Sequence, residues 1–325
     1  MSLTRMLAIA MLAVLALPLG GHGQPKRASL GYLSSNPASD TEEAFDAFRA
    51  KLRELRYVEG ENLRLEARYA DGHFDRLPAL AAELVRLKVD VIFTYGTPAS
   101  TTAKQATSAI PIVFGAVSDP LGSGLVASLA RPGGNVTGVT LSNPELSAKR
   151  LSLIKEAVPT ASRVAVLMNP DFKASGAMVT ETARAARNLA MEMRVFEARE
   201  ARDFGKAFAA MAAARVHVVS VLPDPMFIAH RRQIVDVAAA HRLPAMYHLR
   251  QFVAVGGLMS YGADYTDTFS QCARLIDRIL TGTRPVDLPV EQVRKFSFVV
   301  NQRTARTLGL TIAPAVLMRA DAVLE

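Results

Sequence analysis

The chain has no tryptophan and a single cysteine, Cys272. One cysteine cannot form an intramolecular disulfide, so we expect the fold to be held by a hydrophobic core, which a chain of 325 residues can bury without covalent cross-links. Beyond residue 23, no apolar run approaches the ~20 residues that a bilayer-spanning helix needs. These absences argue against a disulfide-rich scaffold and against a multi-spanning membrane protein.

The motifs of the common cofactor and metal sites are also missing. No strand is followed by GxGxxG or GxxxxGK[ST], and neither HExxH nor CxxC occurs. The histidines have no metal-ligand spacing, and no GxSxG elbow or nucleophile–base pair is recognisable. The sequence therefore predicts no cofactor, no metal and no catalytic residue, although two carboxylates distant in sequence can still meet after folding.

The formal net charge of +8 is spread along the chain. Basic clusters such as residues 230–232 are short, and no basic stripe interleaved with aromatic residues is present. A nucleic-acid-binding protein is expected to show such a stripe or a recognisable reading helix. We therefore predict a solvated basic surface and no nucleic-acid partner.

The first 23 residues have the layout of a secretory signal peptide. Residues 1–5 carry one positive charge, residues 6–19 are apolar, and the small residues of 20–23 precede Gln24. No cysteine lies near this exit site, so we expect cleavage and release without a lipid anchor. The alternative is an uncleaved segment that stays in the membrane.

After residue 23, short apolar runs alternate with longer amphipathic segments, a pattern typical of α/β proteins. The β-α-β-α-β pattern occurs over residues 27–141 and again over 142–257, which predicts two Rossmann-like three-layer lobes. The tail is too short for a third domain. We assign 24–141 plus 258–285 to lobe 1 and 142–257 plus 286–325 to lobe 2, joined by a multi-strand hinge.

Small or polar residues, often beside proline, follow seven of the predicted strands. Each alone is explained by helix capping. Together they predict a ligand cleft, because parallel sheets bind ligands beyond the carboxyl ends of their strands. The predicted ligand-binding residues are Ser35, Gly96, Thr97, Ser118 and Asp119 from the first lobe, Asn169, Asp224 and Tyr247 from the second, and Tyr261 and Asp264 near the crossing.

These residue types suit a small polar ligand. Backbone N–H groups at helix N-termini favour an anionic group such as a carboxylate. Asp119, Asp224 or Asp264 can pair with an ammonium group, and Tyr247 and Tyr261 can form an aromatic wall. The alternative for the two tyrosines is that both lie in the lobe cores.

Several segments resemble a known family, namely residues 48–63, 74–84, 89–107, 110–120, 222–225, 256–262, 305–312 and above all 122–138 (GSGLVASLARPGGNVTG). The chain resembles the periplasmic substrate-binding proteins of ABC transporters, in their tryptophan/tyrosine-type group, although Arg56 stands where glycine is usual in that group. The resemblance implies a type-I periplasmic binding fold with three hinge connections and no enzymatic activity.

The same resemblance implies a periplasmic location, a small-molecule ligand and docking of the closed form on a membrane permease. It leaves the ligand open between an amino acid, an aromatic acid and another small solute, and a monomer is the expected state. Two other functions remain: an exported hydrolase that uses Asp119 and Asp224, and a ligand-sensing partner of a membrane receptor. A repressor of similar fold would need a DNA-binding helix pair, which is missing.

Overall fold

Parallel β-sheets form the centre of two α/β lobes, as the alternating sequence pattern predicts. The structure, a computed structural model, describes residues 27–141 and 143–325, without the side chains of 143–145. The predicted signal peptide, residues 1–23, lies outside these residues.

The described strands and helices follow each other along the whole of this range. The strands are β1 (Ala28–Ser34), β2 (Leu63–Tyr69), β3 (Val91–Tyr95), β4 (Ile112–Val117), β5 (Val136–Thr140), β6 (Arg163–Met168), β7 (Glu192–Glu197), β8 (Val218–Val221), β9 (Ala245–Tyr247), β10 (Met259–Ala263), β11 (Glu291–Gln292), β12 (Phe296–Asn301) and β13 (Ala322–Leu324). The helices are α1 (Glu42–Glu54), α2 (Leu77–Arg86), α3 (Thr97–Ala106), α4 (Asn143–Ala157), α5 (Ser175–Asn188), α6 (Asp203–Ala213), α7 (Pro225–Ala229), α8 (Arg231–Ala240), α9 (Arg250–Ala254), α10 (Tyr265–Leu280), α11 (Gln302–Thr307) and α12 (Pro314–Leu317).

The strands form two sheets, one for each lobe. The first sheet has the order β11-β5-β4-β3-β1-β2, and the second has the order β13-β12-β10-β9-β8-β6-β7. All pairs in the first sheet are parallel. In the second sheet, only the β10–β12 pair is antiparallel among the described strands. Because parallel strands point the same way, each sheet presents its carboxyl ends at one edge.

The chain passes between the two sheets three times, which gives the hinge three connections. It crosses from β5 to α4, from β10 to α10, and from β11 to β12. The predicted lobe boundaries therefore need correction in the tail. Residues 258–285 were assigned to lobe 1, but β10 pairs with β9 and β12 in the second sheet, while α10 covers the first sheet. Residues 286–325 were assigned to lobe 2, but β11 pairs with β5 in the first sheet.

Helices α1 and α10 pack side by side on one face of the first sheet, over an aromatic cluster. The ring centroids of Phe48 and Phe93 are 4.8 Å apart, and those of Phe93 and Phe269 are 5.0 Å apart. Phe45 and Phe48 share one face of α1 with Leu52, as the apolar spacing predicts, and all three are buried. The chain returns to the first lobe with α10, and burial of these rings holds α10 on the sheet of that lobe.

The single thiol lies under the same helix. Cys272 is fully buried on α10, and its Sγ lies 3.7 Å from the carbonyl oxygen of Phe114 in β4. Burial raises the pKa of this thiol far above its usual value. The side chain therefore behaves as a small apolar residue of the core.

Residues 123–130 form no helix. Lys104 donates to the carbonyl oxygens of Gly124 and Leu125 and ties this irregular segment to α3. Among residues 27–141 and 143–325, every helix is too short or too polar to span a bilayer.

Strand β5 approaches β4 so closely at Gly138 that a side chain does not fit. A Cβ atom at this position would lie 2.1 Å from the carbonyl oxygen of Phe114. We expect Gly138→Ala to lower the free energy of unfolding by about 1–3 kcal/mol, the usual cost of overpacking a core. Urea denaturation measures this change.

Gly176, in the first turn of α5, provides the matched control because nothing lies within 4 Å of a Cβ built there. Gly176→Ala is expected to leave stability unchanged or to raise it by up to about 1 kcal/mol. Equal destabilisation by both variants would contradict the close approach of β4 and β5.

Candidate functional site

The carboxyl ends of both sheets border one gap between the lobes, and a pocket lies in this gap. We call it the cleft pocket. The first lobe lines it with Ser35, Asn36, Tyr95, Gly96, Thr97, Pro98, Ala116, Ser118 and Leu141, the second lobe with Phe172, Pro223, Asp224, Pro225, Ile228 and His248, and the β10–α10 crossing with Tyr265. Its free volume is about 40 Å³, which is roughly the room of three water molecules. The lobes are thus closed on each other, and a ligand the size of an amino acid enters when they part.

A backbone irregularity shapes the first-lobe side of the cleft pocket. Ala116, in β4, has a φ of 59°, and the register of β4 against β5 shifts between Phe114 and Val117. Such a bulge bends the strand and re-aims the residues that follow it, here Ser118 at the pocket. A positive φ is costly for alanine, and strain of this kind is concentrated at binding sites.

Asp224 supplies the charge of the cleft pocket. It follows β8, is 3% exposed, and accepts hydrogen bonds from the backbone N–H of Phe227 (3.0 Å) and from Asn169 Nδ2 (3.1 Å). Burial raises the pKa of this carboxyl to about 6, and the two hydrogen bonds offset only part of that effect. Among the described residues, no lysine, arginine or histidine forms an ion pair with Asp224.

Aromatic side chains give the cleft pocket its apolar surface. The rings of Tyr95 and Tyr265 meet edge to face, with centroids 5.5 Å apart. Burial raises the pKa of Tyr265 to about 12, so its hydroxyl is protonated at neutral pH. Half-buried Phe172, on the loop after β6, faces these tyrosines from the second lobe.

Several buried polar atoms of the cleft pocket have no hydrogen-bond partner in the described part of the chain. They are Ser35 Oγ and Asn36 Nδ2 on the first lobe, and both ring nitrogens of His248 on the second. Each of these residues is at most 3% exposed. Because a buried unsatisfied polar atom costs about 1–3 kcal/mol, a concentration of them in one pocket indicates a place where polar groups of a ligand bind.

The structure brings together five of the ten predicted site residues. Ser35, Gly96, Thr97, Ser118 and Asp224 line the cleft pocket. Asn169 lies directly behind Asp224 and orients it. Asp119 lines a neighbouring pocket that shares Thr97 and Phe172 with the cleft pocket, and its carboxylate accepts a hydrogen bond from the backbone N–H of Gly122 at 2.8 Å.

The other three predicted residues lie elsewhere, for reasons of local structure. Tyr247, the last residue of β9, is 1% exposed and stacks on Phe252 with centroids 4.7 Å apart. Tyr261 packs against Phe296 and Phe298. For both tyrosines, the core alternative describes the structure, and the aromatic wall is corrected to Tyr95, Tyr265 and Phe172.

Asp264 caps α10 by accepting from the backbone N–H groups of Thr266 and Asp267, and it forms an ion pair with Lys295 at 3.1 Å. It lines a second cavity between the lobes, together with Gln251 and His248. The capping explanation therefore accounts for this aspartate, and its carboxylate already has a cation.

Sequence analysis missed Asn36, Tyr95, Phe172, His248 and Tyr265 as lining residues. Asn36 and Tyr95 are direct neighbours in sequence of the predicted site residues Ser35 and Gly96. The prediction took single residues at the strand ends and should have included the residue next to each of them. His248 directly follows the strand that ends at Tyr247, and side chains alternate between faces along a strand. That alternation is the signal that would have chosen His248 over Tyr247.

Two ion pairs cross the gap on one rim, which we call the latch. Arg231, at the start of α8, donates to both carboxylate oxygens of Asp40 on the first lobe, at 2.5 and 2.9 Å. Arg250 donates to Glu43 at 3.0 Å. The Asp40 side chain is only 4% exposed, so the closed form needs Arg231 to compensate the desolvation of this carboxylate.

The family described as ABC transporter substrate binding protein matches residues 35–324. The chain belongs to this family. The match covers both lobes and all three hinge connections, so the family assignment concerns the whole binding unit.

The chain is also similar to a curated relative and to several solved structures. The tyrosine-binding protein of Clostridioides difficile is 26% identical over 286 residues, which is 88% of this chain and 81% of that protein. The ABC domain from Streptococcus pneumoniae in complex with L-Trp is 25% identical, with a TM-score of 0.84 over 92% of this chain and 100% of that one. A conserved domain protein from Vibrio cholerae has 28% identity and the same TM-score and coverage. These structures confirm the predicted type-I periplasmic binding fold.

The latch should hold this substrate-binding protein closed. Arg231→Gln leaves Asp40 buried without a cation, and opening the lobes returns that carboxylate to water. We therefore expect the variant, without ligand, to have a larger radius of gyration than the wild type in small-angle X-ray scattering.

Arg202→Gln is the matched control, because Arg202 is 81% exposed and pairs with Glu200 within one lobe. Its scattering curve should superimpose on that of the wild type. Identical curves for the Arg231 and Arg202 variants would show that the latch does not set the lobe angle.

Proposed function

We propose that this protein is the exported, monomeric and non-enzymatic receptor of an ABC uptake system, and that it carries an aromatic L-amino acid to a membrane permease. Export rests on the leader-like residues 1–23 and on the usual location of the family, which is the periplasm. Closure around the ligand creates the form that a permease binds, and a ligand favours closure only through contacts that both lobes make with it.

The observation that carries this proposal is the buried, unpaired carboxylate of Asp224. A carboxylate removed from water and left without a cation is expensive, so it indicates a cationic ligand group. An α-ammonium group fits, since it donates three hydrogen bonds and the carboxylate still has free lone pairs beside Asn169 and Phe227.

The carboxylate of an amino acid has a matching place on the first lobe. Helix α3 begins at Thr97, so its first N–H groups and its dipole face the pocket close to Ser35 Oγ. An anion at a helix N-terminus is stabilised by about 0.3–1 kcal/mol, more when the site is partly buried. Opposite charges held by opposite lobes explain why one zwitterion draws the lobes together.

The lining of the cleft pocket and the names of two relatives both support a ligand with an aromatic side chain. Tyr95, Tyr265 and Phe172 line the same pocket as Asp224 and Thr97, the first residue of α3. The relative from Clostridioides difficile is named a tyrosine-binding protein, and the one from Streptococcus pneumoniae binds L-Trp. An offset or edge contact between aromatic rings contributes about 0.5–1.5 kcal/mol beyond apolar burial.

The hydrolase alternative has less support, because its two carboxylates line adjacent pockets that share only Thr97 and Phe172. Asp224 lines the cleft pocket, whereas Asp119 lines the neighbouring pocket and accepts a hydrogen bond from the backbone N–H of Gly122. Paired acid–base catalysis needs both carboxyl groups at one bond. The sensing alternative shares the binding site and differs only in the membrane partner.

Asp224→Asn should weaken ligand binding strongly, because the ammonium group loses its counter-charge. The expected loss of affinity for tyrosine or tryptophan is at least ~100-fold, in line with the cost of breaking a buried ion pair. Isothermal titration calorimetry of the mature protein measures it.

Asp119→Asn is the control, since it removes the charge of another strand-end aspartate but keeps an oxygen that can accept from Gly122. Its affinity should stay within about threefold of the wild type. If both variants bind like the wild type, the ammonium site is wrong; if no aromatic amino acid binds the wild type, the ligand class is wrong.

Binding should also weaken in acid. The pKa of Asp224 is raised to about 6 by burial, so the carboxylate is increasingly protonated below pH 6 and loses its attraction for an ammonium group. We expect the dissociation constant to rise about twofold from pH 7 to pH 6 and about fivefold more from pH 6 to pH 5, and calorimetry at these three pH values tests this.

The stability of the unliganded protein should change in the opposite direction. A carboxyl whose pKa is higher in the folded state binds protons more tightly there, so lowering the pH towards 4 stabilises the fold. At pH 7, Asp224→Asn should have a higher Tm than the wild type, because asparagine brings no charge into the buried site. This difference in Tm should shrink as the pH falls through 6. A difference in Tm that does not change with pH would indicate that the Asp224 carboxyl is exposed to water.

A further inference from the structure

The second cavity between the lobes is much larger than the cleft pocket. Its free volume is about 420 Å³, against about 40 Å³ for the cleft pocket, and pockets that hold small ligands generally enclose ~300–1,000 Å³. The first lobe lines it around the start of α1, the second lobe lines it around α9, and two of the hinge crossings contribute Asp264 and Lys295. A molecule in this cavity therefore touches both lobes of the closed form.

Carboxylates outnumber basic groups in the lining of the second cavity. The acidic lining residues are Asp40, Glu42, Glu43 and Asp264, and the basic ones are Arg250 and Lys295. Ion pairs account for all of them except Glu42, which begins α1 and has no ion-pair partner in the described part of the chain. The cavity thus has a negative charge that no cation of the described residues balances.

Buried polar atoms in the same lining have no hydrogen-bond partner among the described residues. They are Oε1 of Gln251 and both ring nitrogens of His248. The Gln251 amide is held in place, since its Nε2 donates to the carbonyl oxygen of Asp40 at 3.3 Å. Each buried polar atom left without a partner costs about 1–3 kcal/mol, so their position at an open cavity indicates a partner from outside the chain.

Most of this unused hydrogen-bonding capacity accepts rather than donates. An amide oxygen and a carboxylate only accept. His248 is 3% exposed, and burial, with a smaller effect from the charge of Arg150, holds its pKa well below the usual value. The ring is therefore neutral at pH 7, and one of its nitrogens accepts as well. A matching ligand group is one with several N–H donors and a positive charge.

An ammonium group fits this lining better than a metal ion. No group of three or more histidine, cysteine, aspartate or glutamate side chains within residues 27–141 and 143–325 is arranged to hold a metal. An ammonium group donates three hydrogen bonds and accepts none. The volume of the cavity leaves room for the carbon chain that such a group is attached to.

We propose that the second cavity binds a small organic cation with one or two ammonium groups, at a site separate from the cleft pocket. Gln251 and His248 accept hydrogen bonds from its N–H groups, and Glu42 supplies the counter-charge. Because both lobes line the cavity, the bound cation favours the closed form through contacts that the open form lacks.

The test is calorimetry of the mature protein with 1,4-diaminobutane. We expect saturable binding of this diamine and none of 1,4-butanediol, which has the same chain length without charge. Gln251→Met is close to glutamine in size but lacks the accepting oxygen, so it should weaken binding by ~10-fold or more. Glu42→Gln should weaken it by about threefold, since Glu42 is exposed. Gln251→Leu gives the same readout should the Met variant not fold.

Matched controls come from the same helix or the same residue type. Asp46→Asn lies one turn after Glu42 on α1, and Gln233→Met lies on α8; both residues are exposed and neither lines the cavity. Both variants should keep the wild-type affinity for the diamine.

Asp224→Asn separates the two sites, because Asp224 lines the cleft pocket and not the second cavity. It should bind the diamine as the wild type does. Loss of diamine binding in this variant means that the diamine occupies the cleft pocket, and this result overturns the proposal. A wild type that does not bind the diamine, or a Gln251→Met variant with unchanged affinity, overturns it as well. None of these results bears on the amino-acid site, which the titrations with tyrosine and tryptophan test.

Discussion

Polar groups that are buried where the two sheets end, and that the protein satisfies only in part, are the constraint on which the arrangement of this protein depends. Asp224, Asn36 and His248 are each at most 3% exposed, and a fold selected only for stability would replace or pair them. Buried apolar side chains on the helices and strands of both lobes offset that cost. The stability of the lobes and the binding chemistry of the gap are thus supplied by different residues.

The lobes were predictable from the sequence because their periodicity is local. Buried strands such as β3 and β4 read as continuous apolar runs, and α1 shows its buried face at helical spacing. The crossings in the tail were harder, because β10 and α10 are adjacent in sequence yet belong to different lobes. No local pattern records which sheet a short strand joins, since partner choice depends on contacts distant in sequence.

The sequence predicted where the binding site lies but only some of the residues that line it. The choice of polar residues at the ends of predicted strands found Ser35, Thr97 and Asp224, because parallel topology alone brings those positions to one edge of a sheet. It failed for Tyr247, since a shift of one residue along a strand turns a side chain from the gap into the core. It could not find Phe172, which lies on a loop after β6, or Tyr265, which reaches the gap through the crossing into α10.

The buried thiol has a consequence for biogenesis. With Cys272 enclosed between α10 and β4 and no second cysteine in the chain, neither an intramolecular cross-link nor a shuffled intermediate can form. Folding is then independent of thiol oxidases and isomerases, and the folded protein presents no thiol to oxidants or to a second copy. Reducing and oxidising surroundings therefore leave the cysteine of this protein in the same state.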